Sequence, residues 1–389
     1  MRRLLFHDLG TGGAMVLICT ILWAGPVRAH EMQLTRVDLT ADTQVLTLRI
    51  ELDLMRYLSG SGADHNDRKM IRKLAGMRVS DFETPSQRVR SDLKEHLKIR
   101  FDGSAVPLKT VRLPEADRLL RLIETAQVLQ ATGASAVQWD PVIFVVEGPV
   151  PEGAETVRVV FPESLGEVVA SFRPARGQPS VPVPVGVGAD WGPLPLTAGS
   201  GVSNEGPVLW RYLVFGFTHI LPKGLDHILF VLGLFLLSVK MKPLLWQVTA
   251  FTAAHTITLG LAAAGWVNLP ASVVEPIIAL SIAVIAVENI VTDELKPWRP
   301  AVVFGFGLLH GLGFAGVLGE VGIPDEAFVP ALLAFNVGVE IGQLAVIGLA
   351  FVLVGWFAQK PWYRRRVVIP ASVLIGGMGL FWTVERIFF

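Results

Sequence analysis

Residues 219–239 read HILPKGLDHILFVLGLFLLSV. The second half is an unbroken apolar run, and the first half gathers two histidines, an aspartate, a proline and a glycine into nine residues. Such a run belongs in a buried helix or in a bilayer, and Pro222 with Gly224 interrupts regular helix where the polar residues stand. Adjacent Asp226 and His227 diverge on an ideal helix, so one of them is expected to steady a ligand rather than act as one.

Five further apolar runs follow the first (224–239), at 244–265, 271–292, 300–319, 327–357 and 366–388. Most can cross about 30 Å of hydrocarbon at about 1.5 Å per residue. The first is short, and residues 208–220 can lie at the interface and lead into it. The whole chain is 51% hydrophobic and 17% charged, with a mean hydropathy of +0.51, a balance that a water-soluble domain of 389 residues rarely shows. Its 34 basic and 34 acidic side chains cancel, so no global field favours nucleic acid, and the lipid bilayer is the expected surroundings.

Upstream the pattern is different. Residues 1–29 read as a secretory signal: Arg2 and Arg3, an apolar stretch at 14–24, then small Val27 and Ala29 before a cleavage point. Cleavage leaves His30 at the mature N-terminus and removes Cys19, the only cysteine, so a metal site has to use nitrogen and oxygen ligands. From 30 to 173 the chain alternates like half-buried strands, at Leu46, Leu48, Ile50, Leu52 and Leu54, at Leu97, Ile99 and Phe101, and at Val157, Val159 and Phe161. Residues 66–77 and 115–130 carry apolar side chains at helical spacing and are expected to pack on or between those strands. Residues 174–207 are crowded with Pro and Gly and are expected to form a linker without helix or ladder.

The expected architecture is therefore a multi-domain membrane protein. A β-rich exported domain at 30–173 precedes an all-α bundle of six transmembrane helices within 208–389. Loops at 240–243, 293–299 and 358–366 hold Lys240, Lys242, Lys296, Arg299, Lys360, Arg364, Arg365 and Arg366, whereas those at 266–270 and 320–326 hold no Lys or Arg. The positive-inside rule then puts both mature termini outside, as expected of a multi-pass protein of the bacterial inner membrane with a periplasmic N-terminal domain.

Polar side chains in hydrocarbon cost several kcal/mol, roughly, unless they face the bundle interior, so each is a functional candidate. His219, Asp226 and His227 stand at the outer mouth of the first span. His255 and His310 come about eleven and ten residues into the second and fourth spans. Asn336 and Glu340, one turn apart, share a face of the fifth span at similar depth. Glu288 lies toward the inner end of the third, which also holds Ser281. Together they read as a ladder from outside to inside, ending at Glu288. Imidazole and carboxylate without sulfur suit nickel, cobalt or zinc better than copper(I), magnesium or calcium. Gly305, Gly307, Gly311 and Gly313 would let helix backbones approach closely beside His310.

On these residues the membrane half resembles the HupE/UreJ family of hydrogenase and urease accessory membrane proteins, regarded as nickel or cobalt permeases. The matching stretches are GFTHILPKGLDHILFVLGLFLLS, FTAAHTITLGLA, VEPIIALSIAVIAVEN, FGLLHGLGFAGVL and FNVGVEIGQ, which cover most of residues 215–343. His219, Gly224, Asp226 and His227 correspond to a family motif of the form HPxxGxDH, with the proline at 222 and the first histidine one residue further away. That spacing is similar to the branch with a large extracytoplasmic N-terminal domain. The resemblance implies a permease that captures a divalent metal ion, nickel or cobalt, at Asp226 and His227 and hands it inward. No nucleotide-binding GxxxxGKS loop is present, so transport would be passive or driven by a coupled ion. Two other readings stand beside it. One is an intramembrane zinc-dependent hydrolase-like enzyme assisted by Ser281 or Glu340; the other is a membrane-anchored periplasmic module that binds a protein partner through the N-terminal domain.

Overall fold

The computed structural model describes residues 34–59, 68–108, 110–132, 139–175, 180, 182–196, 205–267, 269–314 and 325–388. The expected signal segment at 1–29, with Cys19, lies outside the described residues. The chain divides into two units, one formed from residues 34–211 with 325–328 and the other from 212–314 with 329–388.

Alternating apolar residues build the first unit. In strand β2 (Val45–Leu52), Leu46, Leu48, Ile50 and Leu52 are buried and their neighbours face outward, as a period of two requires. β2 lies between β1 (Thr35–Ala41) and β6 (Val142–Pro149), antiparallel to both. β5 (Thr110–Arg112) closes one edge of this sheet; β8 (Val168–Arg173) and β9 (Val183–Val185) extend the other, with the order β5-β6-β2-β1-β8-β9. A second sheet has the order β10-β7-β3-β4, from β3 (Lys98–Phe101), β4 (Ser104–Val106), β7 (Thr156–Val160) and β10 (Asp190–Pro195). Both sheets contribute to one core cluster, together with helices α1 (Leu54–Ser59), α2 (Arg68–Ala75), α3 (Glu83–His96) and α4 (Ala116–Thr132). Helices α2 and α4 fall on the two segments expected to be helical.

The Pro/Gly segment differs from expectation. β9 pairs with β8 and β10 pairs with β7, so 183–185 and 190–195 are strands of this unit. Proline is tolerated there because both are edge strands, and the register shift between Trp191 and Leu194 absorbs Pro193.

The second unit is helical and takes in α5 (Glu205–Ile220) from residue 212, α6 (Leu225–Leu237), α7 (Met241–Ala263), α8 (Ala271–Val291), α9 (Arg299–Gly313), α10 (Asp325–Val354) from residue 329 and α11 (Ile369–Phe388). Among the described residues three helices are long and apolar enough to cross a membrane, at Ala271–Val291, Ala327–Phe357 and Arg364–Phe388, and a fourth crossing follows if the bent pair α5 and α6 counts as one. Helix α8 exposes Val273, Ile277, Leu280, Val284, Val287 and Val291 along one stripe. Its buried face carries Ser281 and Asn289. Water would penalise that arrangement and lipid favours it.

Among the described residues, α8 packs along α11 and α7 along α9. Small residues make the second approach feasible. A Cβ on Gly307 would lie 2.5 Å from the Phe251 carbonyl oxygen, and one on Gly311 would strike Thr258 and the His255 carbonyl. Thr258 Oγ1 donates to the Leu308 carbonyl across the same contact, at 2.7 Å. We expect Gly307→Val to destabilise the helical unit by about 1–3 kcal/mol, read as a lower melting temperature in detergent. Gly305→Ala, which adds its methyl to open space, should change stability by less than about 1 kcal/mol.

Candidate metal centre

The site begins at the break between α5 and α6. Pro222 cannot continue the α5 hydrogen-bond ladder, and the two helix axes diverge by 70°. Gly224 donates its N–H to the Ile220 carbonyl at 3.0 Å, and its hydrogen side passes so close to the His219 carbonyl that any Cβ would collide. The bend folds the last turn of α5 against the first turn of α6, bringing the ring centroids of His219 and His227 to 4.8 Å.

Two more imidazoles meet this pair. His255, from α7, lies 6.2 Å from His219 and 5.8 Å from His227 between ring centroids. His310, from α9, lies 4.9 Å from His227. All four are buried. Phenylalanines surround them: Phe314 is 4.3 Å from His219, Phe335 is 5.6 Å from the same ring, and Phe251 and Phe230 are 5.0 and 5.3 Å from His310. The cluster is polar atoms inside an aromatic shell.

Hydrogen bonds fix which nitrogens carry protons. Asn336 Nδ2 donates to the Leu332 carbonyl at 2.8 Å, so its Oδ1 is the atom facing His255 Nδ1 at 3.0 Å. An amide oxygen only accepts; His255 Nδ1 therefore holds the hydrogen and Nε2 presents the lone pair. Ser281 gives its hydroxyl hydrogen to the Ile278 carbonyl at 2.6 Å. Its oxygen is left to accept from His310 Nε2 at 3.1 Å, and the lone pair falls on His310 Nδ1. Both lone-pair nitrogens are buried with no hydrogen-bond partner, as are Nε2 of His219 and of His227. Buried polar atoms normally find partners. Four orphaned imidazole nitrogens in one place are the arrangement a cation would complete.

The candidate ligand atoms of His219, His227 and His255 all lie within 4.8 Å of one another. A tetrahedral ion with bonds of about 2.0–2.1 Å would bring them to about 3.4 Å, so small side-chain rotations would close the set. His310 stands beside His227 but outside that triad.

The remaining expected residues separate from this cluster. Asn336 supports His255 rather than facing the interior with its own oxygen. Asp226 turns away from His227, as neighbours on a helix must, and pairs with Arg386 at 2.8 Å. Glu340 accepts from Thr249 at 2.6 Å, and Glu288 pairs with Arg299 at 3.3 Å. The ladder with His227 at the mouth and His255 and His310 at mid-depth contracts to a single cluster, because the 70° bend carries His219 and His227 inward. Sequence reasoning missed Arg386 and Arg299 as partners of these acids. Their only signal was opposite charge on apolar helices, and proximity in space was invisible. Gln343, which accepts from Thr252 Oγ1 at 3.1 Å, continues the polar seam between α7 and α10.

Fold and site together define a helical unit, with candidate membrane spans, that encloses a buried histidine cluster. Residues 200–386, the helical half, match the family model described as HupE / UreJ protein, which supports placing that half in the HupE/UreJ family. The match suggests an accessory or permease-like role in handling nickel or cobalt and a membrane setting. No curated protein and no solved structure matched the chain.

The seam between α7 and α10 is testable by itself. A double-mutant cycle on Thr252→Val and Gln343→Leu, followed by thermal unfolding in detergent, should return a coupling of about 0.6–2 kcal/mol.

Proposed function

We propose that the helical unit is a permease that binds a divalent transition-metal ion, nickel or cobalt, at His219, His227, His255 and His310 and passes it across the bilayer. The observation that carries this reading is the pair of fixed tautomers: Asn336 and Ser281 hold His255 and His310 so that Nε2 of the first and Nδ1 of the second are left as buried, unpartnered lone pairs. An all-imidazole donor set without thiolate suits borderline divalent ions. Asn336 and Ser281 then serve as the outer support that metal-bound imidazoles require.

The proposal includes six spans, α6 to α11, with the β-rich unit exported behind a signal at 1–29 into the periplasm and the helices in the inner membrane. Supporting it, exposed Trp246, Trp298 and Trp356 lie at the helix ends nearest Lys242, Lys296 and Lys360, while exposed Trp266 follows the opposite end of α7. Trp246 and Trp266 are twenty residues apart, about 30 Å along a helix, which is the thickness of the hydrocarbon core. Aromatic and basic residues mark membrane interfaces in this way.

Cells expressing the chain should accumulate radiolabelled nickel or cobalt above control cells. The double variant His227→Ala with His255→Ala should return uptake to background, and unchanged uptake would refute the reading. Asn336→Leu removes the acceptor that fixes His255 and should lower metal affinity by about 10–100-fold in calorimetric titration of the purified protein.

A histidine triad is also the donor set of a catalytic zinc, which keeps a fourth position for water. The two readings part on metal content. A permease site exchanges its ion and loses it on dialysis, whereas a catalytic zinc copurifies at about one per chain.

A further inference from the structure

Helix α8 acts as a ruler through the helical unit. Near its first turn the Glu275 carbonyl accepts from Arg386 Nη1 at 2.9 Å, and the other arm of that guanidinium holds Asp226 at 2.8 Å. Six residues on, Ser281 touches His310. Seven residues further, Glu288 pairs with Arg299. At about 1.5 Å per residue the histidine cluster lies about 9 Å from one acid–arginine pair and about 10 Å from the other. It is bracketed.

The two pairs share an unusual feature. Asp226 Oδ2 is engaged by Arg386 while Oδ1 is buried without a partner; Glu288 Oε2 faces Arg299 while Oε1 is buried without a partner. Arg299 is fully buried, and its Nη1 is orphaned as well. A buried ion pair contributes to stability only when its remaining atoms are satisfied, and these are half-satisfied. Each acid keeps one oxygen for another cation. Arg386 is also held over the Trp382 ring, 5.7 Å from its centroid, so the guanidinium has a second resting partner when the carboxylate is taken.

We propose that Asp226–Arg386 and Glu288–Arg299 are two gates that close opposite ends of the histidine cluster, each opened when an incoming divalent cation competes with the arginine for the spare carboxylate oxygen. This rests on the permease reading. It assigns Arg386 and Arg299 as resident counter-cations, and it accounts for Asp226 and Glu288 being neutralised although neither faces the imidazoles. No covalent step is involved: one ionic contact is exchanged for another.

The test places a single thiol between the gates, Ser281→Cys in a Cys19→Ser background, in right-side-out and inside-out membrane vesicles. A membrane-impermeant cationic thiol reagent is added to each. With both arginines present the thiol should be protected from either side. Arg386→Gln should raise its reaction rate by at least about fivefold from one side only, and Arg299→Gln by as much from the other side only. Arg386→Lys and Arg299→Lys, which keep the charge, should remain protected. Variants are scored when they elute from gel filtration as the parent does; if a Gln variant does not, Asp226→Asn or Glu288→Gln removes the same pair from the acid side.

Protection unchanged in both variants, or both variants opening the same side, would overturn the gates. Nickel uptake by the wild-type chain is measured in the same vesicles. Side-specific opening without uptake would leave the gates standing and remove the permease, whereas uptake with no opening would remove the gates alone.

Discussion

A polar group within hydrocarbon has no water to turn to, and that constraint organises the whole helical unit. Its outer faces are apolar stripes, such as Val273, Ile277, Leu280 and Val284 on α8, and its buried residues include His219, His227, Gln247, His255, Ser281, Asn289, Arg299, His310, Asn336 and Gln343. Soluble proteins distribute these the other way round. Once the outside is lipid, every imidazole, amide and guanidinium must find its partner inside. The partners found are other helices: α7 with α10 through His255 and Asn336, α8 with α9 through Ser281 and His310, α6 with α11 through Asp226 and Arg386. The polar contacts therefore fix the register of the helices as much as they build the site.

Backbone proximity is the second requirement, since an imidazole reaches only a few ångströms. Gly224 lets the chain turn back on His219, and Gly311 lets α9 lie against the very carbonyl of His255. Arg364 completes the frame at the far end of α8, where its guanidinium donates to the carbonyls of Asn289, Ile290 and Thr292 at 2.9–3.2 Å. Those carbonyls are the ones a helix C-terminus leaves without partners, and a cation there also complements the helix dipole.

Local pattern was legible in the sequence and spatial partnership was not. The alternation of Leu46, Leu48, Ile50 and Leu52 announced β2, and the six apolar runs correspond to α6 through α11. Period and length are properties of a segment alone. By contrast, β9 and β10 were hidden because Pro184 and Pro193 argue against strands unless the strand lies at an edge, which no local pattern reveals. Helix α3, ETPSQRVRSDLKEH, buries only Ser86 and Leu93 in its length and gives too thin an apolar stripe to stand out. At the site, the four histidines were legible as expensive residues in lipid. Their collapse into one cluster was not, because it depends on the angle at Pro222, and the arginine partners of Asp226 and Glu288 lie 160 and 11 residues away along the chain.

The looseness of the cluster bears on what it does. A site that holds an ion permanently is shaped to it, with ligand atoms at bonding separation and their supports complete. Here the three candidate nitrogens stand up to 4.8 Å apart, and the flanking acids are only half-paired. Each shortfall costs stability, and on the permease reading each would lower the barrier to an ion entering or leaving. Conduction needs binding strong enough to draw an ion out of water and weak enough to release it. On the permease reading, the phenylalanines around the histidines serve the first need by keeping water out, which strengthens what holds the cation. The unclosed ligand set would serve the second, because the side chains would have to rotate inward to bind the ion fully and would relax on its release.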